Sequence, residues 1–422
     1  MNMPFPLRLY RALSRALAPF VPFWLKHRLK QGKEDGARLG ERSGSPGLPR
    51  PAGRLIWLHA ASVGETMSIL PMIEALAQKA GVLLTTGTLT SAALAASRLP
   101  QGAMHQFIPL DTPRAVKRFF AHWQPDLGLI CESELWPNLI LEAEKRKIPL
   151  GLINARLSER SFKRWRMMPQ SAARLLRPLA FCLAQSEADA ARFSSLGTRA
   201  LCVGNLKFDV PALPVSAEDA ASLKAIIGTR PVFVAASTHP GEEALVLAAI
   251  NAARAQHPEL FSILVPRHPE RGAEVAALCE KSGVTPARRS LGAMPQAGDA
   301  LYLADTLGEL GLFYRLADIA FIGGSLVPTG GHNPIEAAKH DAALITGPFI
   351  ANFKPIFENL IAQGGAMMVQ DQDALAQGLT TLLGDEATRK GMIEAARGEL
   401  TRHEGALARS LAIIAPFLAS RV

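Results

Sequence analysis

Residues 323–340 read GGSLVPTGGHNPIEAAKH and follow directly on an apolar run, Ile319-Ala320-Phe321-Ile322. An apolar run, two glycine pairs and the helix-like Ile335-Glu336-Ala337-Ala338-Lys339 give the order strand, glycine loop, helix N-terminus. Glycine lets a backbone come close to a ligand, and the free N–H groups of a helix start suit an anion such as a phosphate. The same residues would also make a plain tight turn. The rest of the chain has to decide between the two.

Working outward, the second half repeats the pattern. PVFVAAST precedes GEEALVLAAINAARAQ, FSILVPRHP precedes a helix, ALYLAD precedes LGELGLFYRLA, and IAFIGGS and AALITGP follow. The first half has the same alternation in RLIWLHAAS, a helix over 64–79, GVLLTTGT, LTSAALAASRL, DLGLICES, LWPNLILEAEKRK, IPLGLINA, FCLAQS and ALCVGN. Strands alternating with helices over short links imply parallel sheets covered on both faces. Between the halves DVPALPVS, residues 209–216, interrupts the pattern with two prolines and marks a domain boundary. At 422 residues the chain is long for one core, since a domain takes roughly 100 to 200. The expectation is an α/β protein of two doubly wound, Rossmann-like domains facing across a cleft. They would cover 51–210 and 217–422, behind a basic amphipathic arm at 1–50. Ligands of such sheets lie at the carboxyl ends of the strands.

The formal charge of +9 is concentrated in that arm, from Arg8 to Arg54, and in Arg156, Arg160, Lys163, Arg164 and Arg166, where Phe162 and Trp165 are interleaved. Such segments fit an anionic membrane surface, a phosphorylated substrate or a nucleic acid. No nucleic-acid signature accompanies them, so no nucleic-acid partner is expected. In RALAPFVPFWLKHRLK two prolines break an apolar run shorter than the roughly 20 residues that span a bilayer, which favours lying on a surface. The alternative is a helix whose Phe20, Phe23 and Trp24 face the protein's own core. Cys131, Cys182, Cys202 and Cys279 show no metal spacing and read as reduced core residues.

Polar clusters end the strands. AASVGET places Glu65 in the first turn of a helix, where a carboxylate is a favourable helix-start residue and also a candidate general base. CESELWPN adds Glu132 and Glu134 at a second strand end, as supports for that base or as helix caps. In the second half the clusters are ASTHPGEE (236–243), VPRHPER (265–271) and ADTLGEL (304–310). Arg267, His268 and the amides of the Gly308 and Gly323–Gly324 loops suit a phosphate, and Glu336 suits ribose hydroxyls. Together they point to a nucleotide. No aspartate pair of metal-holding type stands near them, so dipoles and side chains would offset the leaving phosphate's charge.

With KEDGARLGERSG, LHAASVGET, TTGTLTSA, CESELWPNLI, ARLSERSFKRW, GNLKFD, STHPGEE, PRHPER and GGSLVPTGGHNPIEAA in this order, the chain resembles the 3-deoxy-D-manno-octulosonic acid (Kdo) transferases, which are two-domain GT-B glycosyltransferases. The likeness runs from about residue 30 to 410. It implies metal-independent, inverting transfer of Kdo from CMP-Kdo to the lipid A precursor (lipid IVA) in lipopolysaccharide assembly. The place implied is the cytoplasmic side of the inner membrane, bound peripherally or through the N-terminus, and CMP-Kdo is a substrate rather than a cofactor. It also implies Glu65 as proton acceptor, Glu132 and Lys207 as transition-state supports, and CMP contacts at Pro266, Arg267, Leu307, Gly308, Glu309, Asn333, Pro334, Ile335 and Glu336. Many members begin with a longer apolar anchor than this chain has. A GT-B enzyme using a UDP-sugar, or a non-catalytic membrane-associated binding protein, are the competing readings.

Overall fold

The structure is a computed structural model that describes residues 3–419; residues 1, 2 and 420–422, at the outer ends of the expected arm and second domain, lie outside the described residues. The chain divides into two compact units, Met1–Val210 with His403–Val422, and Pro211–Arg402. Each is built on one parallel seven-stranded sheet.

The first sheet comprises β1 (Leu55–Ala60), β2 (Gly81–Thr86), β3 (Ala103–Phe107), β4 (Leu127–Cys131), β5 (Leu150–Ala155), β6 (Phe181–Ala184) and β7 (Ala200–Cys202), in the order β3-β2-β1-β4-β5-β6-β7. β1 is buried at all six positions because helices cover both faces. Trp57 meets Phe119 and Phe120 of the helix Pro113–Trp123 edge-on, at centroid distances of 5.4 and 5.6 Å. Its neighbours Ile56 and Leu58 point to the opposite face, into a core shared with Ile69 and Ile73 of the helix Val63–Ala77. The sequence reading assigns no element to 100–124, although β3 and Pro113–Trp123 lie there. AMHQF is only partly buried at an edge and lacks the apolar run of an inner strand.

The C-terminal helix Ala406–Leu418 corrects the expected extent of the second domain. Its Ala406 and Ile414 are buried in the core of the first sheet, and the Asp209 carboxylate accepts the backbone N–H groups of Gly405 and Leu407 at 2.6 and 2.8 Å. The arm is likewise docked on the first unit. Leu7 and Leu25 are buried, and the Tyr10 hydroxyl donates to Asp111 at 2.9 Å. The carboxylate of Glu34 and the guanidinium of Arg42, both buried, pair at 3.0 Å.

The second sheet comprises β8 (Val232–Thr238), β9 (Phe261–Pro266), β10 (Ala287–Arg288), β11 (Leu301–Leu303), β12 (Ile319–Ile322), β13 (Ala343–Thr346) and β14 (Ala366–Met368), in the order β10-β11-β9-β8-β12-β13-β14. The stretch after β12 crosses over the end of β8. A methyl group on Gly323 would stand 2.6 Å from the carbonyl oxygens of Ala236 and Ser237, and Gly324 has φ +67°. Those two positions therefore require glycine.

Candidate active site

In each sheet the strand order reverses beside the first strand, between β1 and β4 and between β8 and β12. The crevice outside the carboxyl ends at such a point is where open α/β sheets bind ligands. The residues that end these strands are those singled out from the sequence.

In the first unit β1 runs into Ser62, the N-cap of Val63–Ala77, whose hydroxyl accepts the Glu65 N–H at 3.3 Å. Glu65 reaches back and accepts from the Ala61 N–H at 2.8 Å and the Ser62 hydroxyl at 2.9 Å. This is a capping box displaced by one residue, with the Ala61 N–H in place of the N-cap N–H, so the helix-start role of Glu65 is real. The same side chain is half-buried, and burial raises its pKa while the negative charges of Glu132 and Glu134 add to the rise. A carboxylate moved toward neutrality is a better proton acceptor than an ordinary one.

Glu132 follows β4 with φ +54°, a left-handed conformation that costs a non-glycine residue on the order of 1–3 kcal/mol and is met at functional sites. Its carboxylate lies 3.4 Å from the Lys207 ammonium. Lys207 occupies a 3₁₀ turn, Leu206–Phe208, fixed at two points: the Asn205 side chain accepts the Lys207 N–H, and the Asn154 side chain accepts the Leu206 N–H, both at 3.0 Å. Glu65, Glu132 and Lys207 are thus brought into one electrostatic group.

Two members of this surround escaped the sequence reading. His59, buried at the end of β1, sets its Nε2 3.8 Å from Glu134, and with the Trp136 indole N–H (2.8 Å) it holds Glu134 below the ordinary carboxylate range against the burial that raises it. Asn154 is fully buried with φ +48°. The only signal for either was a polar residue closing an apolar strand, in LIWLHA and LGLINA.

In the second unit Pro266 is buried at the end of β9, while Arg267 is exposed and donates its backbone N–H to Thr238 at 2.9 Å. Asn333 caps the short helix Pro334–Ala338; its side chain accepts the Ile335 N–H and donates to Glu336, both at 3.1 Å. Pro334 and Ile335 are buried. Burial raises the Glu336 pKa, and the nearby Arg267 charge opposes the rise. Arg267 and Asn333–Glu336 therefore share one corner. Leu307 is exposed and Gly308, at φ +85°, faces open space. The Glu309 carboxylate is taken up by Arg289 and Thr306, each at 2.5 Å, and Arg289 holds it below the usual range.

The Gly323–Gly324 loop differs from the sequence reading. Its amides do not await an anion: the N–H groups of Gly324, Ser325 and Leu326 donate to the Glu242 carboxylate at 2.6, 2.9 and 2.8 Å. Glu242 is fully buried and takes a fourth N–H, from His239, at 3.2 Å. The loop carries its own anion, an acid hidden in the EE of STHPGEE.

A family model described as 3-deoxy-D-manno-octulosonic-acid transferase (kdotransferase) matches residues 37–210. A 3-deoxy-D-manno-octulosonic acid transferase of Bordetella pertussis is 37% identical over 418 residues, which is 95% of this chain and 97% of that protein. The chain belongs to this transferase family. A probable mitochondrial transferase of the same name from Arabidopsis thaliana is 39% identical over 362 residues, 83% of this chain and 81% of that protein. A glycosyltransferase of Rickettsia africae, 13% identical, superposes with a TM-score of 0.57 over 88% of this chain and 100% of that one. The pair of doubly wound sheets is accordingly a GT-B fold, and the chain is a glycosyltransferase.

Proposed function

We propose that this transferase moves Kdo from CMP-Kdo to the lipid A precursor, with the first unit supplying the base and the second holding the donor's nucleotide. The observation that carries the reading is the group of Glu65, Glu132 and Lys207 at the switch point of the first sheet. The acceptor hydroxyl attacks the anomeric carbon of Kdo as the bond from that carbon to the phosphate oxygen breaks, inverting the centre and releasing CMP. The hydroxyl proton passes to Glu65, which is hydrogen-bonded on the Ala61 and Ser62 side and is made more basic by burial and by Glu132. Lys207 offsets part of the Glu132 charge and stands ready for charge developing in the transition state. On the second unit Arg267 faces the nucleotide's phosphate and Glu336, oriented by Asn333, takes ribose hydroxyls. Pro266, Leu307, Gly308, Pro334 and Ile335 would shape the nucleotide's bed. Because Glu309 is engaged by Arg289, its contact would come from backbone.

A membrane surface as the working place is supported by the arm. In the helix Phe5–Leu17, Phe5, Leu9, Leu13 and Leu17 recur every fourth residue and are all exposed, with Phe20, Phe23 and Trp24 beyond them. This apolar stripe is unsatisfied by the protein's own core, against the alternative reading, and Arg8, Arg11 and Arg15 accompany it. No helix among the described residues is long and apolar enough to cross a membrane. In the cluster at 156–166, Phe162 and Trp165 pack against the first unit's core while Arg160, Lys163, Arg164 and Arg166 are exposed, a placement suited to an acceptor's phosphates. The test is incubation with CMP-Kdo and a tetraacylated, phosphorylated glucosamine disaccharide. A product heavier by Kdo supports the reading, and its absence with folded protein overturns it.

A further inference from the structure

With the glycine-loop amides bound to Glu242, a phosphate in the second unit needs other donors, and the structure offers a pair of histidines. His239 leaves the end of β8 and His332 lies in the glycine loop; their Nε2 atoms are 2.8 Å apart. The rings are within 10° of parallel with centroids 5.1 Å apart, the separation of two imidazoles set end to end in one plane. Only one proton fits between two nitrogens so placed, so one ring donates and the other accepts. Neither side chain makes another hydrogen bond among the described residues. The edge of His268 meets the His239 ring at 5.8 Å.

The charges around the pair are mostly positive. Arg267, His268 and Arg271 face it from the β9 end, and Glu243 opposes them from the helix Glu242–Arg254. Glu243 is itself tied to Arg271 at 2.6 Å, and Glu242 is enclosed by backbone N–H groups. Burial first lowers both histidines, His332 to about 4; His268 and the arginines Arg267 and Arg271 add to the lowering of His239, and His239 and Arg267 to that of His332. The pair is therefore neutral and lies beside the exposed Arg267; of the nearby acids, Glu270 stands 3.4 Å from His268 and Glu336 shares its corner with Arg267. A structural pair would give up nothing to a ligand, whereas this one lies at the strand ends where a ligand is expected and spans two of the motifs that end them.

We propose that His239 and His332, together with Arg267, seat the phosphate of the donor nucleotide. The pair parts to turn both Nε2 atoms toward the anion and takes one proton from solvent as it does so. The proposal rests on the reading of the second unit as the nucleotide-binding one. An arriving phosphate reverses the field that keeps the pair neutral and makes a second N–H donor favourable. Donor binding is then linked to proton uptake, and the affinity of the site for a phosphodiester falls as pH rises.

The experiment is calorimetry on the full chain with two probes: cytidine, and the methyl phosphodiester of CMP, whose single charge does not titrate near neutrality. Paired buffers of different ionisation heat count the protons. The wild type should bind the diester at least about tenfold more tightly than cytidine and take up close to one proton with it, since a hydrogen bond to a charged group is worth a factor of about ten or more. His239→Gln and His332→Gln retain a neutral donor but cannot be protonated. Each should lose about tenfold or more on the diester, keep wild-type affinity for cytidine, and bind without proton uptake. Variants that bind the diester as the wild type does, that weaken equally on cytidine, or that still take up a proton overturn the inference. A wild type that binds neither probe overturns instead the assignment of the nucleotide to this unit.

Discussion

Glu65→Gln separates the two roles that the structure gives one side chain. Glutamine is an accepted member of a capping box, so its amide oxygen can keep one of the bonds that Glu65 accepts, from Ala61 at 2.8 Å and Ser62 at 2.9 Å. A charge-assisted hydrogen bond is roughly twice as strong as a neutral one, so the loss is on the order of 1 kcal/mol, a fall in Tm of about 2–4 °C for a unit of this size. Relief of the repulsion from Glu132 and Glu134 offsets part of that. The chemical loss is far larger, because general-base catalysis contributes about 10² to 10⁴ in rate, or about 2.7 to 5.4 kcal/mol in the barrier. The assay is Kdo transfer at saturating donor, alongside thermal unfolding and CMP binding. Activity should drop at least about a hundredfold while CMP affinity stays at the wild-type value. Retention of more than about a tenth of the activity, or a fall in CMP affinity to match the fall in rate, would mean that Glu65 is not the base.

Other outcomes follow from the same contacts. Because Glu65 must be ionised to accept a proton, kcat/KM should rise with pH through its raised pKa; Glu132→Gln removes a charge that raises it, so the acid limb should move to lower pH, and an upward or absent shift contradicts the grouping. Glu242→Ala strands four backbone N–H groups, at about 1–3 kcal/mol each when buried, so denaturant unfolding should show a loss of about 3 kcal/mol or more; a loss below about 1 kcal/mol would mean the loop does not depend on its internal acid. Replacing Leu9, Leu13 and Leu17 together with Gln should release the protein from anionic vesicles without unfolding it, because the buried Leu7 and Leu25 and the Tyr10–Asp111 hydrogen bond are untouched. Binding of the wild type should fall as salt rises. Wild-type co-sedimentation by the triple variant would place the contact elsewhere.

The fold was legible wherever an apolar strand was followed by a small or polar cluster, because a parallel strand buried on both faces leaves an unbroken signature: LIWLHA, GVLLTT and VFVAAST each became a strand. Of the four edge strands only β7, in ALCVGN, was legible. β3, two-residue β10 and three-residue β14 are partly exposed and carry little apolar signal. Nor was the return of Ala406–Leu418 to the first unit legible, since the amphipathic face of a helix records that it packs but not on what. In the candidate site the pattern located residue types at strand ends, and the structure then redistributed their partners. Glu65 is at once cap and candidate base, the glycine loop is filled by Glu242, and Glu309 is held by Arg289. Which donor meets which acceptor depends on tertiary contacts between residues far apart in the chain, such as Glu242 and Gly324 or Asn154 and Leu206, which no local pattern encodes.

Whether the donor is CMP-Kdo is decided by a donor competition. The purified full chain is given the tetraacylated disaccharide acceptor with CMP-Kdo, UDP-glucose and UDP-N-acetylglucosamine together, and the lipid products are weighed by mass spectrometry. Products should be heavier by Kdo alone, and none should form when CMP-Kdo is left out. Transfer of a hexose or N-acetylhexosamine from the UDP-sugars, with CMP-Kdo unconsumed, would contradict it.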